Sequence, residues 1–186
     1  MINWANLASA SRVVMVPVII LCYLSPLAYG QTIAAVLFVI GSITDWLDGY
    51  LARKLNLGSA FGAFLDPVAD KLFVTAILVL LLSVYPDLLI PALLIVAREI
   101  TISALREWMA ERGVRDLVAV AWVGKLKTTL QMIALALLLG ASPGTLPILF
   151  HLGLGLLWVA AFLGLWSLGS YLLAARVTLQ ASGKGS

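Results

Sequence analysis

The chain has 186 residues, of which 62% are hydrophobic and 11% charged, against roughly 25% charged in an ordinary soluble domain. With a mean hydropathy of +1.07, this excludes a disordered chain, all but excludes a soluble globular one, and predicts an all-α integral membrane protein of a single domain, residues 1–186. The net charge is +3, from 12 Lys and Arg against 9 Asp and Glu. One cysteine, Cys22, and one histidine, His151, exclude an intrachain disulfide and a Cys-based metal site. Any metal chemistry then falls to oxygen ligands and hard cations such as Mg²⁺ or Mn²⁺.

Six apolar stretches follow one another, at about 7–27, 33–55, 66–85, 88–109, 118–139 and 146–177. The first starts without the basic n-region or small-residue cleavage site of a secretory signal, and neither end carries a lipidation motif. Ser25-Pro26 and Gly30 separate the first two stretches, and Gly58-Ser59 follows the second. Pro86-Asp87 follows the third, Arg112-Gly113 the fourth, and Ser142-Pro143-Gly144 the fifth. Gly and Pro punctuate the apolar runs here. In the last stretch Gly153, Gly155, Gly164 and Gly169 predict close helix packing, including contact across a homodimer. His151, at the start of that stretch, is expected at a membrane interface, and Cys22 as a small apolar filler.

Charge is distributed unevenly among the connections. The first, third and fifth hold no Lys or Arg, and their single charge is Asp87. The second and fourth, with the tail, hold Arg53, Lys54, Arg112, Arg115, Arg176 and Lys184. By the positive-inside rule this predicts six transmembrane helices with both termini cytoplasmic.

The second stretch ends Thr44-Asp45-Trp46-Leu47-Asp48-Gly49-Tyr50-Leu51-Ala52-Arg53, and the third begins Gly62-Ala63-Phe64-Leu65-Asp66-Pro67-Val68-Ala69-Asp70-Lys71. An aspartate at a helix centre costs about 2.5–3.5 kcal/mol on the insertion scale, so four of them near one membrane face require a function. Asp45 and Asp48 are spaced i, i+3, while Gly62, Asp66 and Asp70 are spaced i, i+4, i+8, so each set forms one stripe of its helix. A short loop makes the two helices antiparallel neighbours, with the stripes facing across a cytoplasm-facing cleft. Four carboxylates in a dry cleft need cations. Two divalent ions about 3.5–4 Å apart would neutralise them, as in phosphoryl transfer. Gly49, Ala52 and Gly62 add no bulk there, and Arg53 supplies a planar fork for phosphate.

The pattern Asp45-x2-Asp48-Gly49-x2-Ala52-Arg53-x8-Gly62-x3-Asp66-x3-Asp70 resembles the signature of the CDP-alcohol phosphotransferases at every specified position. The resemblance implies a six-helix membrane enzyme that displaces CMP from a CDP-linked substrate with an alcohol, using divalent metal. It implies that Asp45, Asp48, Asp66 and Asp70 hold two metal ions (Mg²⁺ or Mn²⁺) and that Asp70 also acts as general base. It further implies that Gly49, Ala52 and Arg53 contact the CDP group, with Ser59 a further hydroxyl in the variable gap.

The acceptor is read from segments outside that signature. Ala97-Arg98-Glu99-Ile100-Thr101-Ile102-Ser103-Ala104-Leu105-Arg106-Glu107-Trp108 and Gly124-Lys125-Leu126-Lys127-Thr128 are similar to stretches in the bacterial branch of the family that uses glycerol 3-phosphate. Asn3-Trp4-Ala5-Asn6-Leu7-Ala8-Ser9-Ala10-Ser11-Arg12 is similar too, with Ala5 where Pro is common and Ser9 where Thr is common. Arg98 and Arg106 share a helix face, and with Lys125 they form a cationic pocket expected to bind the acceptor phosphate. The expected reaction moves the phosphatidyl group of CDP-diacylglycerol to sn-glycerol 3-phosphate, with release of CMP. Its rivals keep the chemistry and change the acceptor, as in a cardiolipin, phosphatidylinositol-phosphate or phosphatidylserine synthase. A cation transporter is the rival from another class, and it requires its carboxylates near mid-membrane.

Overall fold

The computed structural model describes residues 4–55, 60–111 and 121–182, with side chains over 11–44, 67–109 and 126–173. Among the described residues the chain is helical throughout, with no strand. The helices are α1 (Trp4–Leu24), α2 (Gly30–Leu55), α3 (Ala60–Val84), α4 (Leu89–Glu111), α5 (Ala121–Gly140) and α6 (Pro147–Ser182). A 3₁₀ turn, Pro86–Leu88, joins α3 to α4. Each of the six apolar stretches holds one of these helices over most of its described residues. Pro86–Met109 and Pro147–Leu173 are long and apolar enough to cross a membrane, and so is Pro67–Val84.

The stops follow from local chemistry. Ser25 Oγ donates to Cys22 O at 2.7 Å, closing the end of α1. A Cβ on Gly30 would lie 2.5 Å from Cys22 O, so only glycine lets α2 begin this close to α1. Pro147 opens α6 at a position where its missing N–H costs nothing. Hydroxyls inside the apolar helices bond back to carbonyls four residues earlier. Ser42 reaches Phe38 O at 2.8 Å, Thr44 reaches Ile40 O at 2.8 Å and Ser103 reaches Glu99 O at 2.7 Å. No hydroxyl among these is left unpaired in an apolar setting.

The core is a seam of Ile19, Phe38, Ile77, Leu81, Leu135, Leu138 and Leu157, all closed to solvent. Leu21, Ile148, Phe162, Trp166 and Leu173 are exposed on the outside. A bundle that is apolar inside and out is built for lipid.

Contacts across the helices fix the directions. Gly41 approaches Met15 while Gly30 approaches Cys22, so α1 and α2 are antiparallel. A Cβ on Gly153 would lie 3.0 Å from Leu138 Cγ, and one on Gly164 would lie 3.6 Å from Lys127 Cε, so α5 and α6 are antiparallel as well. Arg98 reaches Ser167 and Arg106 reaches Tyr171, which sets α4 and α6 parallel. The result puts Arg12, Thr44, Asp70, Arg98, Glu99, Lys127 and Ser167 toward one end of the bundle. Tyr85, Asp87, Ser142 and His151 lie toward the other. His151 is exposed there, with Nδ1 2.7 Å from Pro147 O, and Cys22 packs as a half-buried filler against the core. Of the α6 glycines, Gly153 and Gly164 pack within the chain, whereas Gly155 and Gly169 face open space.

Candidate active site

Asp45, Asp48, Gly49, Ala52 and Arg53 lie in the last turns of α2, and Asp66 lies near the start of α3. Their side chains lie outside the described residues, as does that of Lys125 in α5; Ser59 lies outside them entirely. What the structure fixes is the backbone register. Phe38 and Phe73 stack between α2 and α3, with ring centroids 5.1 Å apart and planes 5° from parallel. Position 45 is seven residues beyond Phe38, and position 66 is seven residues before Phe73. Seven residues make about two helical turns. Positions 45 and 66 therefore fall on the same helix faces as the two stacked rings, displaced toward the same end of the bundle.

Asp70 is described, and it is exposed. Its carboxylate pairs with the guanidinium of Arg12 from α1, whose side chain is buried. Asp70 borders a cavity of about 200 Å³ between α3, α4 and α5. At about 30 Å³ per water, the space equals six or seven waters, which suits a small polar molecule and not a lipid tail. Its polar wall is Asp70, Lys71, Thr75, Glu99, Lys127, Thr128 and Gln131. Val74, Leu78, Ile95, Val96 and Met132 give the apolar remainder.

Glu99 organises the cationic side. It accepts from Arg98 Nη1 at 2.7 Å and from the Nζ of Lys127. Lys127 is 1% exposed, so its ammonium is held inside the protein by this contact. Arg98 also donates to Ser167 Oγ on α6 at 3.3 Å. Arg98, Lys127 and Glu99 together carry one net positive charge beside the cavity, where low dielectric strengthens its pull on an anion. Arg106 sits lower on the same face of α4. It donates to Tyr171 Oη at 3.1 Å, with its guanidinium 5.4 Å from the ring centroid.

Residues 2–166 match the family described as CDP-alcohol phosphatidyltransferase. The chain belongs to that family. It is 47% identical over 176 residues to the CDP-diacylglycerol–glycerol-3-phosphate 3-phosphatidyltransferase of Salmonella choleraesuis (strain SC-B67), covering 94% of this chain and 95% of the relative. It is 46% identical over 179 residues to the enzymes of that name from Escherichia coli (strain K12) and Shigella flexneri serotype 5b (strain 8401), covering 95% of this chain and 97% of each.

Among the described residues, the cavity brings further side chains together with Asp70. On α5 the described cation that lines the cavity is Lys127. Arg98 stands behind Lys127, tied to Glu99 and Ser167. Arg106 engages Tyr171 instead of lining the cavity. Arg12, Glu99, Lys127 and Gln131 were not among the expected site residues. A signal was present for two of them. Lys127 and Gln131 are i, i+4 on an otherwise apolar helix, a stripe that needs a polar destination.

Proposed function

We propose that this chain is a phosphatidylglycerophosphate synthase that transfers the phosphatidyl group of CDP-diacylglycerol to sn-glycerol 3-phosphate. The observation that carries the reading is the near-full-length identity to enzymes named for that reaction. The small cavity between Asp70 and Lys127, at the end of the bundle that holds the aspartate-bearing turns, supports it. The same reading makes the chain one domain of six spans in the bacterial inner membrane, with the site and both termini cytoplasmic. The charge bias of the connections supports that orientation.

In this reading CDP-diacylglycerol enters sideways from the lipid, with its nucleotide against Gly49, Ala52, Arg53 and Ser59. Glycerol 3-phosphate enters from the cytosol, its phosphate drawn by Lys127 with Arg98, Arg106 and Lys125 along the way. Asp70, kept in place by Arg12, takes the proton of the primary hydroxyl. The freed oxygen bonds to the phosphorus that carries diacylglycerol. The bond from that phosphorus to the bridging oxygen breaks, and CMP leaves with the electron pair. Asp45, Asp48, Asp66 and Asp70 offer only carboxylate oxygens, the donor set that suits two Mg²⁺ or Mn²⁺. Bound there, such ions would supply positive charge to the pyrophosphate. A second copy of the chain would pack along α6, where Gly155 and Gly169 leave open space.

The test is an acceptor panel. Purified protein with CDP-diacylglycerol should release CMP with glycerol 3-phosphate far faster than with serine, inositol phosphate, phosphatidylglycerol or free glycerol. Preference for any of those four would keep the family and overturn the acceptor.

A further inference from the structure

Gln131 is an unexplained group in the cavity. It lines the space together with Asp70 and Lys127 and is 3% exposed. Its side-chain Oε1 is closed to solvent and has no hydrogen-bond partner among the described residues. A buried amide oxygen left unpaired is a standing cost that an apolar side chain of the same size avoids. Met132, Ile95 and Leu78 line the same cavity, so apolar groups are accommodated in its wall. The amide therefore waits for a ligand atom.

Geometry says which atom. Lys127 and Gln131 are one helical turn apart on α5, and a turn rises about 5.4 Å. That spacing is comparable to the distance from the phosphorus of glycerol 3-phosphate to its far hydroxyls. With the phosphate at Lys127 and the primary hydroxyl at Asp70, the secondary hydroxyl is the remaining polar group. The terminal torsion of glutamine is broad and roughly two-fold, so the amide can turn either its carbonyl or its NH₂ to that hydroxyl.

We propose that Gln131 reads the secondary hydroxyl of the acceptor and so makes the enzyme specific for a glycerol phosphate over a simple hydroxyalkyl phosphate. This rests on the reading of glycerol 3-phosphate as acceptor. A site that buries an amide against a substrate hydroxyl rejects the analogue lacking it, because the amide then stays unpaired.

The experiment compares glycerol 3-phosphate with 3-hydroxypropyl phosphate, which keeps the phosphate and the primary hydroxyl and lacks the secondary one. Wild type should favour glycerol 3-phosphate in kcat/KM by roughly 10- to 100-fold. Gln131→Leu should bring the ratio to within a few-fold of one, chiefly by losing glycerol 3-phosphate turnover, and should hold or raise the unfolding temperature. Gln131→Met, which fills the space flexibly, serves as the second variant should the leucine fail to fold. A wild-type ratio near one overturns the proposal. So does a wild-type ratio retained in either variant, or an equal loss with both acceptors, which marks a structural role. Wild type inactive with both phosphates but active with serine or inositol phosphate would instead overturn the acceptor reading, and this proposal with it.

Discussion

Glu99 decides where Lys127 points, and the two respond differently to substitution. Removing one partner of a buried ion pair leaves an uncompensated charge and costs about 3–5 kcal/mol. Glu99→Gln leaves both Arg98 and Lys127 without their carboxylate, so it should lower the unfolding temperature measurably. Lys127→Met leaves Glu99 paired to Arg98, so the fold should hold while the KM for glycerol 3-phosphate rises. A charge-assisted contact of about 1.5–3 kcal/mol corresponds to roughly 10- to 100-fold, with the KM for CDP-diacylglycerol little changed. Steady-state kinetics and a thermal melt on both variants check this pair. Asp70→Asn should keep affinity for CDP-diacylglycerol and lose turnover by about 10²-fold or more, as expected for a general base; near-normal turnover would remove Asp70 from the role. The aspartates could be read from the sequence because a carboxylate in an apolar helix is costly and their spacing repeats. Lys127 could not be separated from Lys125 in that way. Both are cations at the start of an apolar run, and only the packing of Gly164 and Glu99 around Lys127 draws it inside.

At the scale of the helix, α6 acts as the back wall of the cationic cluster. Gly164 lets its backbone approach Arg98 and Lys127, and a Cβ there would meet Lys127 Cε at 3.6 Å and Arg98 Cδ at 3.7 Å, which is ordinary contact. Gly164→Ala should therefore be nearly neutral in activity. Gly164→Leu should displace both cations and raise the KM for glycerol 3-phosphate by about 10-fold or more, in line with a lost charge-assisted contact. Gly155→Leu, on a face with open space, should leave that KM unchanged. The hydropathy of the last stretch gives its length and nothing about this wall, because small residues carry no periodic signal of what they face. The α2–α3 pair is the opposite case. Spacing alone gives the stripe on each helix, and the Phe38–Phe73 stack supplies a point of register between them. If these two helices hold divalent ions, exhaustive chelation should abolish CMP release, and Mg²⁺ or Mn²⁺ should restore it. Full activity after chelation would sink the metal reading. Melting points should rise with metal concentration, because a ligand that binds only the folded state stabilises it by mass action.

The whole bundle is electrically lopsided, and this ties the site to a side of the membrane. Arg12, Asp70, Lys71, Arg98, Glu99 and Lys127 gather toward one end; α2 ends there with Arg53 and Lys54, and Arg112 and Arg115 follow α4 in the sequence. Toward the other end, Asp87 and His151 are the titratable side chains among the described loop and helix-start residues, apart from tyrosines. Basic residues resist translocation, so the proposed orientation puts the first end in the cytoplasm. A soluble anionic acceptor and released CMP both need that orientation, since each is handled in the cytosol. The single cysteine makes this measurable. In a Cys22→Ala background, Ser142→Cys and Tyr29→Cys should be labelled in intact cells whose outer membrane has been permeabilised, using a membrane-impermeant maleimide. A cysteine at Ser186 should be labelled only after the inner membrane is opened. Both Ser142 and Tyr29 lie at the end of the bundle remote from Asp70, so the two should agree. Labelling of Ser186→Cys in closed cells, with the other two protected, would invert the molecule and put its acceptor cavity on the side where neither substrate nor product is handled.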